Sequence, residues 1–135
     1  MVKITADTNV LVRAAVMDDS VQSALAAKAL LNAELVAVTL PSLCEFVWVL
    51  TRGYKRNTSE VAHALRRLIE SASVVVDRSA VEAGLAVLEQ GGDFADGVIA
   101  IEGRRAGGCV FTSFDKDAVE LISANGGEAR LLAKK

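Results

Sequence analysis

Short apolar runs alternate along this chain with longer stretches of helical period, and that alternation constrains the fold more than any other feature. Val2–Thr5, Leu35–Thr39, Ser73–Asp77 and Cys109–Ser113 are short and rich in β-branched residues, so they read as strands, with Ala129–Leu132 as a fifth. Strands alternating with helices imply a parallel sheet covered on both faces, an α/β architecture. The first strand is expected to be buried and to deliver Asp7 at its C-terminal edge, the edge where open α/β sheets bind ligands.

The intervening stretches carry helix signals. Thr8–Ala15 forms a short helix, and Asp18 or Asp19 caps a longer one with Val21, Leu25, Ala29 and Leu30 as its apolar face. Pro41 suits a first turn, and Ser42-Leu43-Cys44-Glu45 has the form of a capping box. The helix beginning there is apolar on nearly all sides, with Val47, Trp48 and Leu50 assigned to the core, and Gly53 ends it. Asn57 or Thr58 begins a helix with Val61, Leu65, Leu68 and Ile69 as its stripe, and Ser79–Gln90 is another. Asp93-Phe94-Ala95-Asp96 opens a sixth, and a last one spans about Ala118 to Ala124.

Bulk properties set the outer limits. The 135 residues make one domain, and 52% hydrophobic with 24% charged residues describes a globular chain. No apolar run reaches the roughly 18 residues of a membrane span, so a cytoplasmic location is the expectation. One histidine, His63, and two distant cysteines give no zinc motif or disulfide framework, and exclude nuclease chemistry that needs two histidines. A formal net charge of −2 means that any polyanion must be met by a local patch.

The chemistry lies with the carboxylates. In a parallel sheet the strand ends and the starts of the next helices share one rim, which gathers Asp7, Glu45, Asp96 and Asp115. Like charges brought together repel unless they are protonated, spread apart or neutralised, and an oxygen-only donor set favours Mg²⁺, with Mn²⁺ as second choice. Each acid also has a structural reading, because helix starts favour acids: Asp93 and Asp115 as caps, Asp96 as a first-turn residue, Glu45 as part of its capping box. Spacing leaves both readings open.

Four motifs, in order, resemble those of PIN-domain ribonucleases: Ala6-Asp7-Thr8-Asn9, Glu45, Asp93-Phe94-Ala95-Asp96-Gly97-Val98-Ile99-Ala100, and Phe111-Thr112-Ser113-Phe114-Asp115-Lys116-Asp117. The similarity runs through the whole chain and is greatest to the VapC toxins of toxin–antitoxin modules. It implies a single PIN domain over residues 1–135, a three-layer α/β/α sandwich around a central parallel sheet of about four to five strands. It implies too that Asp7, Glu45, Asp96 and Asp115 are catalytic and hold the metal, with Asn9, Ser113, Asp93 and Asp117 supporting them. Gly97 stands where the family usually has Ala, and Ser113 where Thr is common.

The resemblance further implies an RNA substrate, a homodimer and a VapB-type antitoxin. Arg13, Lys55, Arg56, Arg104 and Lys116 are the candidate phosphate contacts, and Tyr54 and Phe94 the aromatics available for base stacking. Two other readings compete. A phosphatase of the haloacid dehalogenase type also begins from an acid after its first strand, but needs a second acid where this chain has Asn9. A catalytically inactive PIN-like module that binds RNA or a partner is the other.

Overall fold

The computed structural model describes residues 2–133, in two compact units: one ends at Asp77 and the other begins at Arg78. The first unit runs β1 (Lys3–Thr5), α1 (Thr8–Ala15), α2 (Ser20–Asn32), β2 (Leu35–Ala37), α3 (Leu40–Trp48), α4 (Thr58–Glu70) and β3 (Val74–Val75). The second runs α5 (Arg78–Glu89), α6 (Phe94–Arg105), β4 (Val110–Ser113), α7 (Lys116–Ala124) and β5 (Glu128–Leu131).

Every strand pair is parallel, as the alternating pattern requires. In the first unit the order is β1-β2-β3, with Ile4 opposite Val36 and Val36 opposite Val74. In the second, β4 pairs with β5, Phe111 opposite Ala129. The strands are shorter than the apolar runs suggest, β3 keeping only two residues. β1 is an edge of its sheet, and Lys3 and Thr5 are exposed, so the expectation of a wholly buried first strand fails. β2 is central in the order, and Val36 is fully buried.

Two helix assignments change. The expected apolar face of α2 points outward: Val21 and Leu25 are more than 60% exposed, while Ser23 and Ala26 are buried. α2 packs on α1 through its small residues, and the Ser23 hydroxyl donates to the Val16 carbonyl at 3.2 Å. Val47 in α3 and Leu50 just beyond it are buried as expected, but Trp48 is 60% exposed, so it is not a core residue. α3 continues into a π-helical turn, Val49–Gly53, in which the Tyr54 N–H reaches the Val49 carbonyl at 3.1 Å.

The core of the first unit is Leu11, Leu43, Phe46, Val61 and Leu65 around Val36. That of the second centres on Val81, Leu85 and Phe94, where α5 and α6 pack closely.

Candidate active site

Asp7 stands where β1 ends and α1 begins. The Ala6 N–H still bonds to the Ala37 carbonyl of β2 at 3.1 Å, and Asp7 then turns the chain as the α1 N-cap, its Oδ1 accepting from the Thr8 N–H at 2.9 Å. The cap uses one carboxylate oxygen of two, so capping and metal binding are compatible. Asp7 is exposed.

Glu45 has no capping role. α3 starts at Leu40 with Thr39 as N-cap, accepting from the Ser42 N–H at 3.4 Å, so Glu45 lies well inside the helix. A full capping box forms instead at Asn57 and Glu60 in α4. Glu45 accepts a hydrogen bond from the Thr8 hydroxyl at 3.0 Å, which ties the first turn of α1 to α3. The family motif assigns a supporting role of this kind to Asn9. Thr8, inside the same motif, makes the bond.

The second unit brings three acids into electrostatic range. Asp93 caps α6, accepting from the Ala95 N–H at 3.1 Å, and Asp96 lies in the first turn, half-buried. Asp115 caps α7, accepting from the Ala118 N–H at 3.2 Å, and its own N–H donates to the Ser113 hydroxyl at 3.0 Å. Burial, and then the charges of Asp93 and Asp115, push the Asp96 carboxyl above the ordinary carboxylate range. Asp117 is exposed in the first turn of α7.

The basic and aromatic candidates divide. Arg13 is engaged by Asp18 at 2.9 Å and by Tyr54 and Gln22. Arg56 and Lys116 make loose exposed pairs with Glu60 (3.5 Å) and Glu120 (3.8 Å), and such pairs are weak enough to yield to a phosphate. Lys55 and Arg104 are exposed. Phe94 is fully buried beside Gly84 and cannot stack on a base, whereas Phe114, which no pattern in the sequence marks as a surface residue, is 80% exposed between Ser113 and Asp115. His63 is exposed on α4 and lines a cavity of about 540 Å³ with Leu11, Phe46 and Arg67, none of them a candidate acid.

A family model described as the PIN domain matches residues 4–122. The chain belongs to the PIN-domain family. Among solved structures, this PIN domain is similar to the crystal structure of Mycobacterium tuberculosis VapC20, described as a sarcin-ricin loop cleaving toxin. Identity is 18%, over 93% of this chain and 96% of that one, with a TM-score of 0.45. A search among curated proteins finds no match to this chain.

Whether these residues suit a metal has two parts. Their donor chemistry does: carboxylates alone, crowded enough at Asp96 to raise its affinity for any cation. Among the described residues, however, no group of three or more His, Cys, Asp or Glu is arranged to hold an ion unaided. Mg²⁺ in general takes one or two carboxylates and completes its sphere with water and phosphate oxygens, so the absence of a three-acid cage does not conflict with the donor chemistry.

Proposed function

We propose that this PIN domain, one domain over residues 1–135, is a Mg²⁺- or Mn²⁺-dependent endoribonuclease and the toxin of a VapBC-type module. Its site is Asp7, Glu45, Asp96 and Asp115, and a VapB-type antitoxin neutralises it. The observation that supports this reading best is Asp96: a half-buried carboxyl whose ionised form is opposed by Asp93 and Asp115, in a motif that belongs to the family.

A bound divalent ion would supply a Lewis acid for the phosphodiester and stabilise charge on the leaving oxygen. The chain's own contributions are separate. Asp7 and Asp115 each offer the oxygen their caps leave over, while the cap fixes the carboxylate's direction. Thr8 orients Glu45, and Ser113 holds Asp115 through its backbone. A homodimer and a cytoplasmic location complete the reading. No helix among the described residues is long and apolar enough to cross a membrane, and the outward face of α2, with Val21 and Leu25, is available to a partner chain.

The deciding experiment is RNA cleavage by the purified protein with Mg²⁺, with Mn²⁺ and with chelator. Chelation should lower the rate by at least about 10²-fold, the scale of losing one preorganised electrostatic stabiliser, and either ion should restore it. Cleavage indifferent to chelator would sink the metal-nuclease reading, and phosphate release from small phosphoesters without RNA cleavage would replace it with a phosphatase.

Phe114 gives a second expectation. Stacking of a base on an exposed aromatic is worth about 1–3 kcal/mol, so Phe114→Ala should raise KM for RNA about tenfold with kcat nearly unchanged. An unchanged KM in steady-state kinetics would remove Phe114 from the RNA surface.

A further inference from the structure

α1 and α3 come after neighbouring parallel strands, and each carries one candidate acid of the first unit, Asp7 as the cap of α1 and Glu45 within α3. The Thr8–Glu45 bond of 3.0 Å joins the first turn of α1 to the middle of α3. Leu11 and Val12 anchor α1 in the core by apolar packing, which is non-directional, so the directed bonds at its two ends set the fine placement of Asp7 at its start.

A second joint lies at the other end. Arg13, in the last turn of α1, donates from Nη1 to Asp18 Oδ1 at 2.9 Å and to the Tyr54 hydroxyl at 3.1 Å. Tyr54 in turn donates to Asp18 Oδ2 at 2.9 Å, closing a ring of three side chains in which both Asp18 oxygens are used. Arg13 Nε adds a bond of 2.7 Å to Gln22 of α2. The ring shows in the charges: hydrogen bonds from Tyr54 and Arg13 lower the Asp18 pKa, and Asp18 raises that of Arg13.

The backbone departs from regular geometry twice to place Tyr54. The π turn inserts an extra residue per turn after α3 and so rotates the chain beyond it, and Lys55 then takes φ of 53°, a left-handed conformation that disfavours a residue with Cβ. The Arg56 N–H returns to the Leu50 carbonyl at 3.0 Å, closing the end of the helix around Tyr54. Such departures persist where surrounding contacts hold them, and they concentrate near functional sites.

We propose that the Arg13–Asp18–Tyr54 ring is a positioning device that, with the Thr8–Glu45 bond, fixes α1 against α3 at two points and so sets where Asp7 stands relative to Glu45. Arg13 is then a positioning residue, not a phosphate contact. The consequence for catalysis rests on the metal-nuclease reading; the mechanical claim does not.

The test uses Tyr54→Phe, which removes one oxygen, and Arg13→Lys, which keeps the charge but not the guanidinium fork that the ring needs. Amide hydrogen exchange at Val10 and Leu11, whose N–H groups bond to the Asp7 carbonyl, should quicken about fivefold in both variants at unchanged global stability, a change on the scale of one ordinary intramolecular hydrogen bond. The Kd for Mn²⁺ without RNA should rise, and kcat fall, by about the same factor, with KM for RNA within about twofold of wild type. Unchanged exchange in both variants overturns the proposal. So does a rise in KM with kcat intact, or normal kinetics in Arg13→Lys, the result expected of a phosphate contact that lysine can replace. Faster exchange in a protein that binds no Mn²⁺ upholds the ring and fails the metal-nuclease reading instead.

Discussion

Asp96→Asn is expected to lower kcat for RNA cleavage by about 10²–10³-fold, the scale of losing one preorganised charge, while leaving the protein at least as stable as wild type at neutral pH. The two effects have one cause. Burial and the charges of Asp93 and Asp115 raise the Asp96 pKa in the folded protein, so its ionised form opposes folding. The stability this group contributes is full at pH below the ordinary carboxylate value and is lost as pH rises through the raised one. Asparagine has no charge to bury, so the variant should lose less stability than wild type between mildly acidic and neutral pH. Asp93→Ala should do the reverse: it removes the α6 cap at a cost of about 1 kcal/mol and spares most of the cleavage. Denaturant unfolding across pH, beside cleavage assays on both variants, separates the roles. Full activity in Asp96→Asn, or a stability loss matching that of Asp93→Ala, would make Asp96 a structural residue.

The range of the forces involved decides how much of the molecule is legible in the chain. The alternation of strands and helices is local, and all five strands, their parallel pairing and the helix order derive from it. Caps are local too, and Asp7, Asp19, Asn57, Asp93 and Asp115 all cap. Ser42-Leu43-Cys44-Glu45 misleads because the pattern does not say where a helix begins. With Thr39 extended and capping, the helix starts at Leu40 and leaves Ser42 in its first turn. That correction removes the capping explanation for Glu45, whose carboxylate instead meets the Thr8 hydroxyl across the sheet edge from α1. Period identifies a face of α2 but not its direction, which the close approach to α1 decides in favour of Ser23 and Ala26. The bond between Thr8 and Glu45, and the ring that joins Arg13, Asp18 and Tyr54, depend on residues distant in sequence and on a π turn with no compositional signature.

Gly97→Ala should be the most damaging conservative change in the second unit, although alanine is the residue the family motif usually carries there. Gly97 lies on α6 where it meets α5, and a Cβ at this position would run into the Ala83 carbonyl oxygen and lie 2.7 Å from the Gly84 Cα. These are backbone atoms of a helix, so no side-chain rotation relieves the clash. The helices would have to separate, and separation would expose the ring of Phe94, which fills the space over Gly84 and is fully buried. Alanine's better helix propensity returns only about 1 kcal/mol. Overpacking of a close interface typically costs about 1–3 kcal/mol and more when backbone is involved, so a net loss of about 2 kcal/mol is expected in urea unfolding. Asp96 precedes Gly97 directly, so the displaced helix also moves the carboxylate, and cleavage should fall in the protein that remains folded. Gly84→Ala should act in the same direction through Phe94, whose ring would lie 2.5 Å from the new Cβ. A Gly97→Ala protein as stable and active as wild type would mean that α5 and α6 do not pack backbone to backbone, and Asp96 would then owe its position to something other than this helix contact.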